Sequence, residues 1–323
     1  MLSLFPVRRP RAGLAFSESS VSVVELAPRW RGANRIHRLA THPLPSGLLR
    51  PHRTGANIAD PAELTRHVRD VLRATGQRTV AVSVPLACAY VAVFAFETMS
   101  EREEDRLAVL RWRFQQDEHL AVGDAPITYR VYPGTGAPSS EQAGKSMQTV
   151  LAVAMPQTVL QPYLTVLEQA GVIPASFSWS TLQLFDMAWP LMTPADEVVV
   201  IHQSRHSWAV MAARAGQPVF LRVKPGTMPS EQEQAAIMGT LQYYDDRYPH
   251  AAAAAEKPAV LYRLDDDCIG HTEPPAESRV LRPVCGSAWQ VRQEALDWSR
   301  LNLEGPHPTN PSEWSALAGV LAS

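Results

Sequence analysis

Few residues in this 323-residue chain have both the type and the spacing for chemistry. His202 and His206 stand four apart, which suits two metal ligands on one helix face, but their surroundings read as strand and turn. Exposed turn histidines are the simpler reading. Asp265, Asp266 and Asp267 lack the glycine and the spaced glutamate of a calcium loop, so they read as a solvated acidic turn. Gly134, Thr135 and Gly136, with Lys145 further on, have neither the spacing nor the flanks of a phosphate-binding loop. No GxSxG or HExxH motif occurs. Cys88, Cys268 and Cys285 are too scattered for a disulfide framework or a CxxC metal site, and they fit a reducing cytoplasm. No catalytic residue and no metal ligand is expected.

Composition narrows the class. At 46% hydrophobic and 19% charged residues the chain has material for a sizeable core, which excludes overall disorder. A formal charge of −2 supplies no bulk basic field for nucleic acid. The start, MLSLFPVRRPR, puts apolar residues before basic ones, the reverse of a secretory signal. The longest uncharged run, Thr79 to Phe96, approaches the length of a membrane span. It reads instead as two strands, because Val80, Val82 and Val84 alternate and Pro85 interrupts.

The elements that would position any site alternate between strand and helix. Leu14 to Leu26 reads as strand, turn (Ser17 to Ser20) and strand, and Ile36 to Leu44 as a third strand. Asp60-Pro61 opens a helix carrying Leu64, Val68, Val71 and Leu72, and the Val80 strand follows Gly76. Ser100 and Glu103 form a capping-box pair ahead of a helix whose Leu107, Leu110 and Phe114 share a face. Thr149 to Ala154 reads as a strand and Gln157 to Ala170 as a helix. Strands at Val198–Ile201, Trp208–Ala212 and Val219–Val223, a helix from Ser230 to Tyr244, a strand at Ala259–Leu264 and a helix from Pro311 to Leu321 complete the order. A β-β-β-α-β…α pattern thus occurs twice, which predicts a duplicated α/β fold.

Several segments together resemble the type IV pilus assembly PilM family of actin-like proteins. They are Ser19 to Leu26 (SSVSVVEL), Ala59 to Leu64 (ADPAEL), Thr79 to Pro85 (TVAVSVP), Arg111-Trp112, Val150 to Ala154 (VLAVA), Tyr163 to Gly171 (YLTVLEQAG), Thr240 to Tyr244 (TLQYY) and Ala316 to Gly319 (ALAG). Their order and spacing run from about residue 10 to the end. The resemblance implies an actin-like α/β fold of two duplicated lobes, residues 1–190 and 191–323, with a small subdomain inserted near 85–148. Membrane-anchored relatives in type II secretion share this fold and add a spanning helix and a periplasmic domain, neither of which is expected here.

In actin-like ATPases two Asp-x-Gly turns hold phosphate, the glycine for close backbone approach and the aspartate for hydrated magnesium. Alignment to the family puts Ala15 and His202 at the aspartates, Ser17 and Ser204 at the glycines, Glu18 directly after Ser17, and Ser22 at a usual lysine. The adenosine-side turn after Val260 to Tyr262 becomes Arg263-Leu-Asp-Asp-Asp-Cys268. The resemblance therefore implies a degenerate phosphate site with no bound nucleotide, no metal and no turnover. The alternative is an ATPase with unconventional phosphate loops. The implied role is a cytoplasmic adaptor without a membrane span, peripheral at the inner membrane through its partner. It would bind the N-terminal segment of a PilN-like inner-membrane protein and link it to the motor ATPases, with ring or filament assembly left open. On spacing alone Leu107, Leu110 and Phe114 are most simply core residues; the resemblance makes Leu107, Leu110, Arg111, Trp112 and Phe114 the expected partner-binding residues. A type II secretion or mannose-sensitive pilus system is the alternative setting for the same adaptor logic.

Overall fold

A computed structural model of the chain describes residues 10–27, 34–117, 120, 122–132, 147–192, 197–204, 207–225, 230–248, 259–265, 291–294, 296, 298–301, 303–309 and 311–322. The Gly134 to Lys145 loop, His206, Asp266, Asp267, Cys268 and Cys285 lie outside them. In chain order come β1 (Ala12–Phe16), β2 (Ser20–Leu26), β3 (Asn34–Pro43), α1 (Pro61–Leu72), β4 (Thr79–Val84), β5 (Tyr90–Phe96), α2 (Glu103–Gln116) and β6 (Ile127–Tyr132). Next are β7 (Gln148–Ala154), α3 (Gln157–Gln169), β8 (Ile173–Trp179), α4 (Ser180–Ala188), β9 (Glu197–Ser204), β10 (Ser207–Arg214) and β11 (Gln217–Pro225). Last are α5 (Ser230–Arg247), β12 (Ala259–Asp265), β13 (Val291–Glu294), β14 (Leu303–Glu304) and α6 (Pro311–Ala322).

Two large sheets repeat one topology. The first runs β14-β3-β2-β1-β4-β8 and the second β11-β10-β9-β12-β13. In each, an antiparallel three-strand meander is followed by a strand that pairs in parallel with the meander's first: β4 with β1, and β12 with β9. The expected duplication is therefore realised. A third sheet, β5-β7-β6, carries α2.

Local chemistry explains much of this. Asp60 Oδ1 accepts from the backbone N–H of Ala62 (2.9 Å) and Glu63 (3.0 Å), with Pro61 in the first turn, so α1 starts where the sequence places it. The β10–β11 turn needs positive φ at both central positions, and Ala215 (46°) and Gly216 (79°) adopt it, the geometry that matches strand twist. The run from Thr79 to Phe96 becomes β4 and β5, which lie in different sheets, and among the described residues no helix is long and apolar enough to cross a membrane.

The structure corrects the local reading around Ser100. It is no capping-box partner of Glu103: α2 starts after Arg102 without a side-chain cap, and Ser100 Oγ donates to Asp105 Oδ2 at 2.9 Å. Strands β6, β8, β13 and β14 and helix α4 carry no clear sequence signal and are additions to the expected order.

One core is shared between the two large sheets. Ala15, Val24 and Ile36 of the first meet Val198, Val200 and Met211 of the second, through Leu184 and Phe185 of α4 and Leu317 and Val320 of α6. The C-terminal helix thus returns to the sheet that starts the chain.

Candidate functional site

The two meanders present matching hairpin turns. Ser17 Oγ accepts from the backbone N–H of Ser20 at 3.0 Å and lies 2.9 Å from Ser20 Oγ. Ser204 Oγ donates to the carbonyl of Ser207 at 2.9 Å and lies 2.8 Å from Ser207 Oγ. The registers make the two sets equivalent: Ala15 pairs with Ser22 and His202 with Ala209, each two residues before its turn serine. The aligned phosphate-loop positions are therefore brought to corresponding places in the two sheets.

Their surroundings are those of a core. Ala15 is fully buried in the shared cluster. Ser22 is equally buried, with its hydroxyl 2.8 Å from Thr41 Oγ1 and 2.5 Å from Ser312 Oγ at the start of α6. Ser312 also reaches Ser20 (2.7 Å), and Thr41 donates to Glu313 (2.6 Å), which in turn accepts from the Thr309 backbone N–H (2.7 Å). His202, expected as an exposed turn histidine, is instead buried within β9, with Nδ1 3.2 Å from Thr181 Oγ1 in the first turn of α4. Glu18 is half-buried in the first turn. Arg263, near the end of the adenosine-side strand, donates to Gln203 Oε1 at 2.8 Å, and residues 266–290 lie outside the described part of the chain.

This donor set does not fit a magnesium–triphosphate. Magnesium takes oxygen ligands, through carboxylates or the waters they orient, and the two aligned positions offer a buried methyl group and an imidazole. The residue aligned with a lysine is a serine already engaged by two hydroxyls. Among the described residues no three His, Cys, Asp or Glu side chains gather as a metal site.

A different feature stands open. Between β6 and β7 of the small sheet, β8 and α4 of the first lobe, and β10 and β11 of the second lies a cavity of about 390 Å³. Tyr129, Tyr132, Trp179, Leu182, Phe185 and Trp189 form much of its wall. Strands β6 and β8 are each last in their sheet, so one backbone edge of each has no ladder partner among the described residues. Two of its lining residues, Arg130 of β6 and Asp186 of α4, form a two-pronged ion pair, 2.6 and 2.8 Å, which raises the guanidinium's pKa.

The expected partner-binding residues of α2 lie elsewhere, on several faces. Leu110 and Phe114 are fully buried against the small sheet, with the Phe94 and Phe114 rings edge-on at 5.2 Å, so they form that subdomain's own core. Leu107 packs half-buried beside them. Arg111 donates to the Ala125 carbonyl at 3.1 Å. Trp112 stands out at 56% exposure, and Val109 nearby in the helix at 42%. None of these residues lines the cavity. Its walls come largely from β6, β8 and α4, three of the elements without a clear sequence signal. The alternation of Ile127 and Tyr129 with Thr128 and Arg130 is the one cue that marks β6.

No protein-family model matches the sequence, and no curated protein matches it. Among solved structures the chain is similar to the PilM-PilN type IV pilus biogenesis complex, with a TM-score of 0.65 and 18% identity over 98% of each chain. More distant are the cytoplasmic domain of EpsL, an inner membrane component of the type II secretion system of Vibrio cholerae (TM-score 0.46, 11% identity, 97% of this chain and 94% of that one), and a Bacteroides thetaiotaomicron protein with an actin-like ATPase fold (TM-score 0.44, 10% identity, 81% and 84%). The chain has an actin-like fold, with the two duplicated lobes and the small additional sheet that the sequence led one to expect.

Proposed function

We propose that this chain is a non-catalytic cytoplasmic adaptor of a type IV pilus machine, and that it takes the N-terminal segment of a PilN-like inner-membrane protein into the cavity between β6 and β8. The observation that carries this reading is the pair of unpartnered strand edges, among the described residues, facing an aromatic-walled cavity. It occurs in a chain that shares its fold end to end with the PilM-PilN complex.

An extended peptide entering there gains backbone hydrogen bonds from a strand edge and side-chain anchorage from Leu182, Phe185 and Trp189. Two or three buried aliphatic anchors at about 1.5–3 kcal/mol each offset the cost of ordering the segment. Binding is then mostly apolar, weakly salt-dependent and independent of nucleotide. Linkage to the motor ATPases is the downstream half of the same proposal. The poor fit of the phosphate-loop positions to magnesium supports the absence of turnover.

The test is titration of a labelled peptide from the cognate partner's N-terminus with full-length protein. Leu182→Lys in the cavity wall should weaken binding at least tenfold, and Trp112→Ala on the far side of α2 should leave it unchanged. Folded protein with no affinity at hundreds of micromolar would refute the adaptor reading. Loss on Trp112→Ala with none on Leu182→Lys would move the site to α2.

A further inference from the structure

The balanced overall charge hides a partition. The first 80 residues hold thirteen arginines, no lysine and five carboxylates, while residues 81–323 hold seventeen basic groups against twenty-seven acidic ones. The fold brings six of these arginines to one end. Strands β1, β3, β4 and β8 all run in the same direction, so their starts lie together on one rim of the first sheet.

Arg11, Arg35 and Arg78 sit at three of those starts. The Arg11 carbonyl accepts from Leu26 N–H (2.7 Å), the Arg35 carbonyl from Ala27 N–H (2.9 Å) and the Arg78 carbonyl from Ile173 N–H (2.7 Å). Arg38 reaches the Ala74 carbonyl just past α1, and Arg69 and Arg73 stand in or just after the helix's last turn, Arg69 donating to the Gln169 carbonyl at the end of α3. All six are exposed. Ile173, a large apolar residue left 60% exposed, lies among them. Among the described residues the carboxylates on this rim are Glu25, which is buried and accepts from Arg11 and Gln77, together with Asp70, paired to Arg73 at 2.9 Å, Glu168 and Glu304.

We infer that this rim is a docking surface for an anionic lipid bilayer. The guanidiniums are spread over strand starts and helix ends and do not converge on a pocket, which suits a field of many phosphates better than one bound anion. Planar guanidinium forks pair with phosphate oxygens, and an exposed isoleucine among them can enter the headgroup layer. The acidic remainder of the chain gives the molecule a charge asymmetry that turns this rim toward a negative surface. The inference does not depend on the peptide site, which lies beside β6, β8 and α4.

The experiment is co-sedimentation of full-length protein with vesicles of phosphatidylcholine alone or of equal parts phosphatidylglycerol and phosphatidylcholine, at low and at high salt. Binding is expected only to the anionic vesicles, and it should be lost as salt shortens the screening length. The triple change Arg35→Gln, Arg73→Gln, Arg78→Gln spares Arg38 and Arg69, whose contacts cap helix ends. At roughly fivefold per charge it should weaken partitioning about a hundredfold. Arg222→Gln on β11 is the control and should change nothing. Circular dichroism and peptide titration of the triple variant separate a folding defect from a surface effect, and also keep failure here distinct from failure of the adaptor reading. Equal binding to both vesicle types, an unaffected triple variant, or tighter binding to duplex DNA than to anionic vesicles would overturn the assignment.

Discussion

Gly13→Ala probes the contact that ties the end of the chain to its beginning. A Cβ placed on Gly13 lies 1.9 Å from the carbonyl oxygen of Ala316 and 2.9 Å from its carbon, both backbone atoms of α6. An ordinary close carbon–oxygen approach is about 3.3 Å, so α6 or β1 must give way by roughly 1.4 Å. Neither is a flexible side chain. The displacement acts on the hydroxyl cluster at the helix start, where Ser312 meets Ser20 and Ser22 and Glu313 meets Thr41. Overpacking of a tight core and weakening of two or three net hydrogen bonds together cost about 3 kcal/mol. In a chain of this size that is roughly 4 °C in Tm. The matched control is Gly239→Ala in the middle of α5, where a Cβ meets nothing within 4 Å. There the same methyl group should stabilise by about 0.5–1 kcal/mol, because alanine surrenders less backbone entropy than glycine in a helix. Urea denaturation of both variants, read by tryptophan fluorescence, checks the pair. A Gly13→Ala protein as stable as the parent would refute the close approach of α6 to β1 and the shared core built on it.

Two further outcomes are expected. Millimolar Mg-ATP should not move the melting temperature, although a nucleotide at a hundred times its Kd would add about 2.7 kcal/mol; a clear shift would defeat the argument from Ala15 and His202. Burial pushes the Cys88 thiol from 9.0 up to about 12, so the stability it contributes is complete below pH 9.0 and is lost as pH rises toward 12. Cys88→Ala should flatten the alkaline decline of stability, and mass spectrometry should find Cys88 alkylated only in denaturant; native labelling would contradict its burial.

How much of this was legible depended on whether a signal was local. The Ser17 to Ser20 turn and the Asp60-Pro61 helix start each depend on residues within a few positions, and each was readable. The duplication was readable because the meander recurs with the same alternation. Strand β8 was not. Its segment, IPASFSW, contains a proline and three small residues, and its place is fixed by parallel pairing with β4 from Thr79↔Ile173 to Val84↔Trp179. That pairing spans more than ninety residues and leaves no local mark. The α2 residues show a subtler limit. Helical spacing says that Leu107, Leu110 and Phe114 share a face, but not whether that face meets a partner or the protein's own sheet, and here it is the sheet.

The two lobes fill the aligned phosphate-loop positions with different residues, and this bears on what the fold is used for. Ala15 is embedded in the shared core, while its counterpart His202 bonds to Thr181 of α4. In the first lobe the start of α6 closes over the turn through Ser312; in the second, the first turn of α4 does so through Thr181. Both helices pack on each other between the sheets. Positions that in a nucleotide-driven machine must stay open to phosphate are therefore spent on holding the lobes together. An adaptor gains from that exchange. The proposed peptide site, framed by β6 of the small sheet, β8 of the first lobe and β11 of the second, keeps its shape only if those three units do not move apart, and a fixed frame lowers the entropy that binding must offset.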